Sequence, residues 1–398
     1  EWETQLRPQV IDATRALRGA DLEALTDAEL RLHLDAAIAL LKRGLDMHLG
    51  LIPPYALRVH EFVSTCRDLL DLDAAQSLAL LAGTSEPTSE PTRELQTVVA
   101  LVKEPQAVRA VLAAPGADVR TRLRDADEMA GAAFDSWCER FGGRVLGEDP
   151  GAPTLIEQPA MLAGLLRDAL DRRGARSGGE SDEEGRGASP RARTRARLAD
   201  RSVADRERFE HALAAAARVY PTREDSAVWA ACHPGGLVRR AALEIGRRLV
   251  AAGALDRASD VVLLDIDAVR DAIRGHQRAG LRAAVAQARA EQAWVTAHPG
   301  PRLHGPRPAP MPDLRGLPSA VRRMNAAMIW SQNQQHSTAS AADPADPVEL
   351  PAEPAADEDT VDHAERIQDA DAIAGAYDTE IDNVFPEQRG EDRLAGEW

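Results

Sequence analysis

Apolar residues in the first 300 positions recur at steps of three or four, the spacing of one face of an α-helix. The clearest case is the run Leu30, Leu34, Ile38, Leu41 and Leu45, which follows capping-box spacing between Thr26 and Glu29. Similar stripes lie at 55–69, 95–102, 130–141, 162–169, 209–220, 238–252 and 281–296. The pattern predicts a mostly α fold.

Turn-forming residues predict where these helices stop. Pro53-Pro54 is expected to break the first long run, and the near-repeat at 84–92 is expected to be a surface loop. Further breaks are expected at Pro221 and at 233–236, where His, Pro and two Gly follow one another.

The segment 261–264, Val-Val-Leu-Leu, is the one convincing strand-like run. Gly253 suits the position just after a helix end, and Asp265 suits an N-cap. We therefore expect a helical protein with one minor short strand.

Composition supports helix, and charge separates the body from the tail. Aromatic residues are only 4% of the chain, and Arg outnumbers Lys by 46 to 2, which favours helix over sheet. Residues 341–398 hold 18 acidic and 3 basic residues, which leaves about −1 for residues 1–340 out of −16 for the whole chain. A neutral body argues against nucleic-acid binding.

These patterns predict five segments. A stretch rich in Gly, Ser, Arg and Glu has few large apolar residues and is expected to be disordered, as is the acidic tail. The predicted segments are a helical subdomain at 1–172, a disordered insertion at 173–201, a second helical subdomain at 202–298, a Pro-rich linker with a terminal helix at 299–330, and an acidic low-complexity tail at 331–398.

The three cysteines are too few and too widely spaced for a disulfide framework or a metal knuckle. Cys66 lies on an apolar stripe and is interpreted as a buried thiol. A reducing cytoplasm is the simplest compartment. No apolar run approaches 18 residues, so no membrane span is expected. The start at Glu1, with no Met or signal-like segment, suggests that the chain was cut from a longer protein.

Common catalytic and phosphate-binding motifs are absent from the sequence, among them GxxxxGK[ST], GxGxxG, HExxH and GxSxG. The first candidate site is the Gly-rich turn that holds Arg144 and Glu148. These two residues could orient a polar ligand, or they could form a local ion pair beside a helix end.

The second candidate is Arg223-Glu224, which follows a Tyr-Pro pair. If Arg223 begins a helix, the helix dipole opposes its charge, so the residue is either held for an anion or merely exposed. A bidentate guanidinium suits a phosphate, and we favour a functional Arg223.

Two further sets of residues have a structural interpretation and a functional one. The basic pairs Arg239-Arg240 and Arg247-Arg248 are eight residues apart on one helical side, which favours a solvated face over an anion-facing wall. His48 and His60 have no second ligand at metal spacing and are interpreted as core or interface residues.

Three stretches carry a resemblance to a known family. Residues 141–148 with Ile156-Glu157-Gln158-Pro159 resemble the "YGHRGxGE…WxExP" element of phosphoenolpyruvate-utilising enzymes, especially rifampin phosphotransferase-like proteins. Arg223-Glu224 resembles their "RExxK" element. Residues 240–267 resemble "RxxxLxLGxRLxxxGxLxxxxDVFYLTxDE". The resemblance covers about residues 1–330 and implies the family's central helical, rifampin-binding-like domain.

The resemblance implies a substrate-binding and linker domain that acts with an ATP-grasp domain and a swivelling phosphohistidine domain. By motif position, Arg223 would steady the transferred phosphoryl group, and the substrate would contact Arg144, Glu148, Glu224 and Arg240. ATP and Mg²⁺ would serve the complete enzyme, with no cofactor or metal held by this chain, and a small molecule would be the acceptor.

The sequence departs from the family pattern in three respects. Gly143 replaces a His, Ala227 stands at the Lys of "RExxK", and no "TSH"-like phosphohistidine motif is present. The alternative is therefore a non-catalytic helical scaffold or interaction protein derived from the same family.

Overall fold

The protein is described by a computed structural model, which covers residues 1–82, 86–113, 118–147, 149–178, 189–298 and 317–340. Within these ranges there are fourteen α-helices and no strand longer than a single bridge. The helices are α1 (Arg7–Arg18), α2 (Asp27–Leu70), α3 (Ala74–Ala79), α4 (Glu86–Leu101), α5 (Pro105–Ala113), α6 (Val119–Ala126), α7 (Glu128–Trp137), α8 (Pro159–Gly178), α9 (Pro190–Arg197), α10 (Val203–Ser226), α11 (His233–Ala251), α12 (Ile266–Ile273), α13 (Leu281–Ala297) and α14 (Ser319–Ser340). The mostly α prediction is confirmed.

The chain divides into two compact units, and α2 and α10 each contribute to both. The ranges of unit 1 are Glu1–His48, Ser85–Gly187 and Glu224–Ala309, and those of unit 2 are Leu49–Thr84, Ala188–Arg223 and Pro310–Trp398.

Unit 1 contains two apolar cores. One is formed by the N-terminal half of α2 with α11, α12 and α13, and includes the fully buried Leu30, Leu34 and Ile245. The other is formed by α4 to α8 and is centred on Phe134 and Leu123. Burial of each large side chain contributes roughly 1.5–3 kcal/mol.

Unit 2 has its own core, built from the C-terminal half of α2 and from α10. Phe62 and Phe209 are almost fully buried there, with ring centroids 6.1 Å apart. Cys66 is fully buried in the same core, as predicted, and burial raises the pKa of its thiol to about 11. The thiol is therefore protonated at neutral pH and acts as a small apolar group.

Three predicted helix boundaries are confirmed, namely those set by the side-chain caps at Thr26 and Asp265 and by the left-handed conformation of Gly253. The Thr26 backbone N–H donates to the Glu29 carboxylate (2.8 Å), and the Glu29 N–H donates to the Thr26 hydroxyl (3.3 Å). Asp265 caps α12 by accepting from Asp267 N at 2.8 Å. Gly253 has φ +71°, a conformation that L side chains rarely adopt.

The prediction that proline ends helices at Pro53-Pro54 and Pro221 is wrong. Both lie inside continuous helices, α2 and α10. Each proline removes a backbone donor and costs about 3 kcal/mol. Buried neighbours offset this cost in unit 2: Ala56 and Leu57 are fully buried after the first pair.

Three further local predictions are corrected. Residues 233–236 form the first turn of α11 and not a break, and a π-helix at Ala227–Cys232 joins that turn to α10. The expected strand at 261–264 falls mainly in a 3-10 helix, Ala258–Leu263. Part of the expected loop at 84–92 is the start of α4.

The segment predicted as a disordered insertion, 173–201, is mostly helical where it is described. Helix α8 extends to Gly178, and α9 occupies Pro190–Arg197. In unit 2, Arg191 donates to the Leu80 carbonyl (2.6 Å) and Arg197 to the Leu70 carbonyl (2.6 Å). This segment has few large apolar side chains, and α9 is held instead by guanidinium hydrogen bonds to carbonyls at the ends of other helices.

Several predictions concern residues outside the described ranges. These are the middle of the insertion (179–188), most of the Pro-rich linker (299–316) and the acidic tail from 341 onward. The predicted terminal helix is present as α14. None of the helices in the described ranges combines the length and apolar character needed to cross a membrane.

Candidate functional site

The Gly-rich turn that carries Arg144 is held against the first turn of α11 in unit 1. Val145 N donates to the Cys232 carbonyl at 3.1 Å, and Leu155 N donates to the Arg144 carbonyl at 3.1 Å. A Cβ on Gly236 would lie 1.8 Å from the Gly143 carbonyl oxygen. The close approach of the turn to α11 therefore requires glycine at 236.

Arg144 itself is half-buried and makes no hydrogen bond or ion pair with any residue that the structure describes. Its predicted companion, Glu148, lies outside the described residues. The nearby carboxylate of Glu157 is engaged elsewhere, because it receives two hydrogen bonds from Arg239, at 2.7 and 2.8 Å. Beside Arg144, a Cβ at Gly143 would meet nothing within 4 Å.

His233, in the same turn of α11, is fully buried. Its ring stacks on Trp229 with centroids 4.5 Å apart, and its Nδ1 lies 3.0 Å from Nη2 of Arg18. A guanidinium can only donate, so Nδ1 accepts and the proton resides on Nε2. That buried N–H has no hydrogen-bond partner among the described residues.

The electrostatics around His233 are positive. Burial, together with the charges of Arg18 and Arg144, lowers the pKa of His233 to about 3. Arg18 donates from Nη1 to the carbonyls of Glu139 (2.8 Å) and Arg140 (3.4 Å), so its hydrogen-bond partners within the described ranges are neutral. Burial also lowers the pKa of Arg18. The imidazole is therefore neutral and accepts a hydrogen bond from the Arg18 guanidinium.

A second buried polar group in unit 1 surrounds Asp225, which is 3% exposed. Its Oδ2 accepts from Trp2 Nε1 at 2.7 Å and lies 3.0 Å from Arg7 Nε, while Oδ1 has no partner in the described ranges. Burial raises the pKa of the Asp225 carboxyl. Through these contacts, Trp2 and Arg7 near the N-terminus are held against the C-terminal end of α10, which also contains Arg223-Glu224.

Arg223 and Glu224 do not begin a helix. Arg223 lies in the last turn of α10, and its guanidinium sits 5.7 Å from the ring centroid of Tyr55 in unit 2. The expected conflict with a helix dipole is therefore wrong, because the helix starts twenty residues earlier, at Val203. Glu224 belongs to unit 1 and is exposed.

Arg240 holds the fold in place. Its Nη1 and Nη2 donate to the carbonyls of Arg18 (2.6 Å) and Ala20 (2.7 Å), which lie just at the end of α1. Arg239 is 6% exposed, so the expectation of a solvated face is wrong for this residue. Gly246 belongs to the same motif, and a Cβ there would lie 2.1 Å from the Ala258 carbonyl oxygen. Residues 240 and 246 of the stretch 240–267 therefore serve packing of the fold.

Arg18, Trp229 and His233 were not predicted as site residues. Arg18 lies 215 residues from His233 in sequence, so no local pattern connects them. The one available signal was the spacing of Trp229 and His233, four residues apart, which places two rings on one helical face.

Within the described ranges, no group of three or more His, Cys, Asp or Glu side chains could hold a metal ion. Residues 59–224 match the family model of the rifampicin phosphotransferase fourth domain. Over this range the predicted resemblance is confirmed, and the match includes Arg144 and Arg223-Glu224. A comparison with curated proteins found no match.

Proposed function

We propose that this chain is the substrate-binding and linker domain of an ATP-dependent phosphotransferase of the dikinase type. The match of residues 59–224 to the rifampicin phosphotransferase fourth domain is the observation that supports it most. In such an enzyme a swivelling phosphohistidine domain, in cis or in trans, would carry the phosphoryl group to a small-molecule acceptor held here. The proposed compartment is the cytoplasm.

The residues of this chain would bind and orient, and the ATP chemistry would take place elsewhere. The described residues offer no metal cluster for Mg²⁺, and the sequence lacks a phosphate-cradling GxxxxGK[ST] loop. No step is therefore assigned to ATP or Mg²⁺ on this chain. An acceptor domain needs fixed positive charge beside an apolar surface, because charge develops on the transferred group.

Within this proposal, Arg223 steadies the transferred phosphoryl group, and Arg144, Glu148 and Glu224 orient the acceptor. Arg144 is the best supported of these, because it is half-buried with no partner in the described residues. Arg240 is assigned to the fold, since both of its terminal nitrogens donate to carbonyls.

To test this role, the rate of phosphoryl transfer is measured in the complete enzyme with and without the substitution Arg223→Ala. We expect transfer to fall by at least about 100-fold, since anion clamps act mainly on transition-state charge. The loss of unfolding free energy should stay near 1 kcal/mol, the scale of one cation–π contact. Arg223→Lys should recover little activity, because a point charge cannot reproduce the planar fork.

Arg218→Ala is the matched control, because Arg218 is exposed on the same helix. It should leave transfer unchanged. Normal transfer by Arg223→Ala would remove Arg223 from the site.

The second candidate function is a non-catalytic scaffold, which Gly143 and Ala227 favour because they replace family His and Lys residues. Histidine phosphorylation distinguishes the two candidates. If ATP labels no histidine in the full-length parent protein, or if the gene has no neighbouring ATP-grasp and phosphohistidine regions, the scaffold is favoured.

A further inference from the structure

Helix α13 in unit 1 is covered over its first half only. Leu281 and Val285 are buried in the core, whereas every residue of 289–298 is exposed. Among the exposed residues are two large apolar ones, Trp294 (62% exposed) and Val295 (59%). A helix in a protein is stabilised mainly by packing of its apolar face. The second half of α13 presents that face to solvent.

The apolar stripe of α13 continues into this exposed half. Positions 281, 285, 288, 292 and 295 are spaced alternately by four and three, the spacing of a seam that packs against another helix. The first two positions are buried, Ala288 is half-buried, and Gln292 and Val295 are exposed. The core of unit 1 therefore uses the first part of the stripe and leaves the last part open.

A groove lies between this open part of α13 and the segment that precedes α12. Its volume is about 650 Å³. The residues from the preceding segment are half-buried and pack against the core below, so their position is fixed. The apolar lining consists of Val262, Leu263, Leu264, Ala288 and Val295. An apolar groove beside a helix is the shape that receives an amphipathic helix from a partner.

The two charged residues that line the groove are both acidic, namely Asp265 and Glu291. Arg289, a nearby cation on α13, is already paired with the buried carboxylate of Asp260. Trp294 lies three residues after Glu291 and therefore on the same side of the helix. An exposed indole ring at this position can contact a cation. The groove is complementary to a surface that is apolar with basic residues beside it.

We propose that this groove docks an amphipathic helix of a partner protein or domain, with Lys or Arg residues beside its apolar stripe. The apolar stripe packs between Leu264 and Val295, and the basic residues contact Glu291 and Asp265. A second copy of this chain fits less well, because two facing grooves would bring their carboxylates together. The inference goes beyond the proposed function, since no residue of the groove is assigned to phosphoryl transfer.

The test measures binding of synthetic helical peptides to the full chain by calorimetry. The probe is a peptide of about 20 residues with Leu at the a and d positions of each heptad and Lys at the e and g positions. We expect it to bind. The same design with Glu in place of Lys should bind at least about tenfold more weakly, because Asp265 and Glu291 repel it.

A scrambled peptide with the composition of the Lys peptide is the control for charge alone. It carries the same charge but no apolar stripe, so it should bind no more tightly than the Glu peptide. Equal binding of the ordered and scrambled Lys peptides would mean that the acidic residues of 341–398 attract both, and it would overturn the docking groove.

Two substitutions locate the binding. Val295→Gln should weaken binding of the Lys peptide about tenfold, because it places a polar group in the apolar lining. Val203→Gln is the matched control and should have no effect, since Val203 is 60% exposed at the start of α10. Glu291→Gln should reduce the preference for Lys over Glu peptides, whereas Glu128→Gln, at an exposed residue of α7, should not.

Equal losses in Val295→Gln and Val203→Gln would place the binding elsewhere and overturn the proposal. Sedimentation of the full chain without peptide tests the other occupant. We expect a monomer. A dimer that Val295→Gln dissociates would assign the groove to a second copy of this chain and would also overturn the proposal.

Discussion

A buried imidazole that accepts a hydrogen bond from a guanidinium makes the stability of this protein depend on pH. Burial lowers the pKa of His233 to about 3 in the folded chain, whereas an unfolded histidine has a pKa near 6.5. Below that value the unfolded state binds a proton that the folded state does not. Stability from this group is therefore present above about pH 6.5 and is lost as the pH falls.

We predict that the unfolding free energy falls by up to about 1.4 kcal/mol per pH unit below pH 6.5 on account of His233. His233→Gln should flatten that part of the decline, because glutamine does not titrate and its carbonyl still accepts from Arg18. Chemical denaturation between about pH 7 and 5 measures the slopes. The same slope in wild type and variant would show that the ring is protonated in the folded chain.

The ion pair of Arg239 with Glu157 gives a second prediction. Arg239 is almost fully buried and also donates to the Gly151 carbonyl at 2.6 Å. Breaking a buried pair costs about 3–5 kcal/mol, and Glu157 is partly exposed, so we expect Arg239→Ala to cost about 2 kcal/mol. Arg247→Ala should cost less than about 1 kcal/mol, since Arg247 is 57% exposed. Equal costs in denaturant unfolding would contradict this account.

At the residue scale, local chemistry was predictable and electrostatic context was not. The caps at Thr26 and Asp265, the left-handed Gly253 and the buried Cys66 depend on a few neighbouring residues. The environment of Arg223 depends on where its helix begins, and the sequence argument placed that start at Pro221. One wrong boundary thus reversed the expected effect of the dipole.

At the scale of elements, glycine marks the points where two backbones touch. A Cβ on Gly246 of α11 would lie 2.1 Å from the Ala258 oxygen, and one on Gly44 of α2 would lie 1.8 Å from the Ala230 oxygen. A backbone atom cannot rotate away as a side chain can. The segments would have to separate to admit a methyl group.

We therefore predict opposite effects for the same substitution in two helices. Gly246→Ala should destabilise by about 1–3 kcal/mol through overpacking. Gly164→Ala in α8 should stabilise by about 0.5–1 kcal/mol, because its Cβ would meet nothing within 4 Å and alanine is the better helix former. The denaturant midpoints of the two variants show whether each substitution stabilises or destabilises the protein. A stabilised Gly246→Ala variant would show that the backbone at Ala258 moves aside at little cost.

The helix boundaries show what periodicity can and cannot supply. The stripes predicted which segments are helical, because apolar spacing reflects the buried face. They did not predict that α2 continues through Pro53 and Pro54, since that outcome depends on tertiary packing after the prolines. The prediction of a strand at 261–264 was wrong for a similar reason, because four consecutive apolar residues fit a partly buried 3-10 helix as well as a strand.

At the scale of the whole molecule, the candidate site depends on residues far apart in sequence. Trp2 and Asp225 are 223 residues apart, and Arg18 and His233 are 215 apart. The resemblance of residues 141–148 to a family element pointed to Arg144 from the sequence alone. Contacts between residues more than 200 positions apart can be seen only in the folded structure. The fold class and Arg144 were therefore predictable from the sequence, whereas the contacts of Arg18, His233 and Asp225 were not.

This chain and the other domains of the proposed enzyme carry out different parts of the reaction. In the proposed enzyme the ATP chemistry resides on the ATP-grasp and phosphohistidine domains, and this sequence has no GxxxxGK[ST] loop of its own. The purified chain should therefore neither release phosphate from ATP and Mg²⁺ nor acquire a labelled phosphoryl group. Labelling measured against a blank tests this, and transfer should begin only when ATP-grasp and phosphohistidine domains are added. Turnover by the pure chain that a substitution within it abolishes would mean that the chain carries its own phosphoryl chemistry.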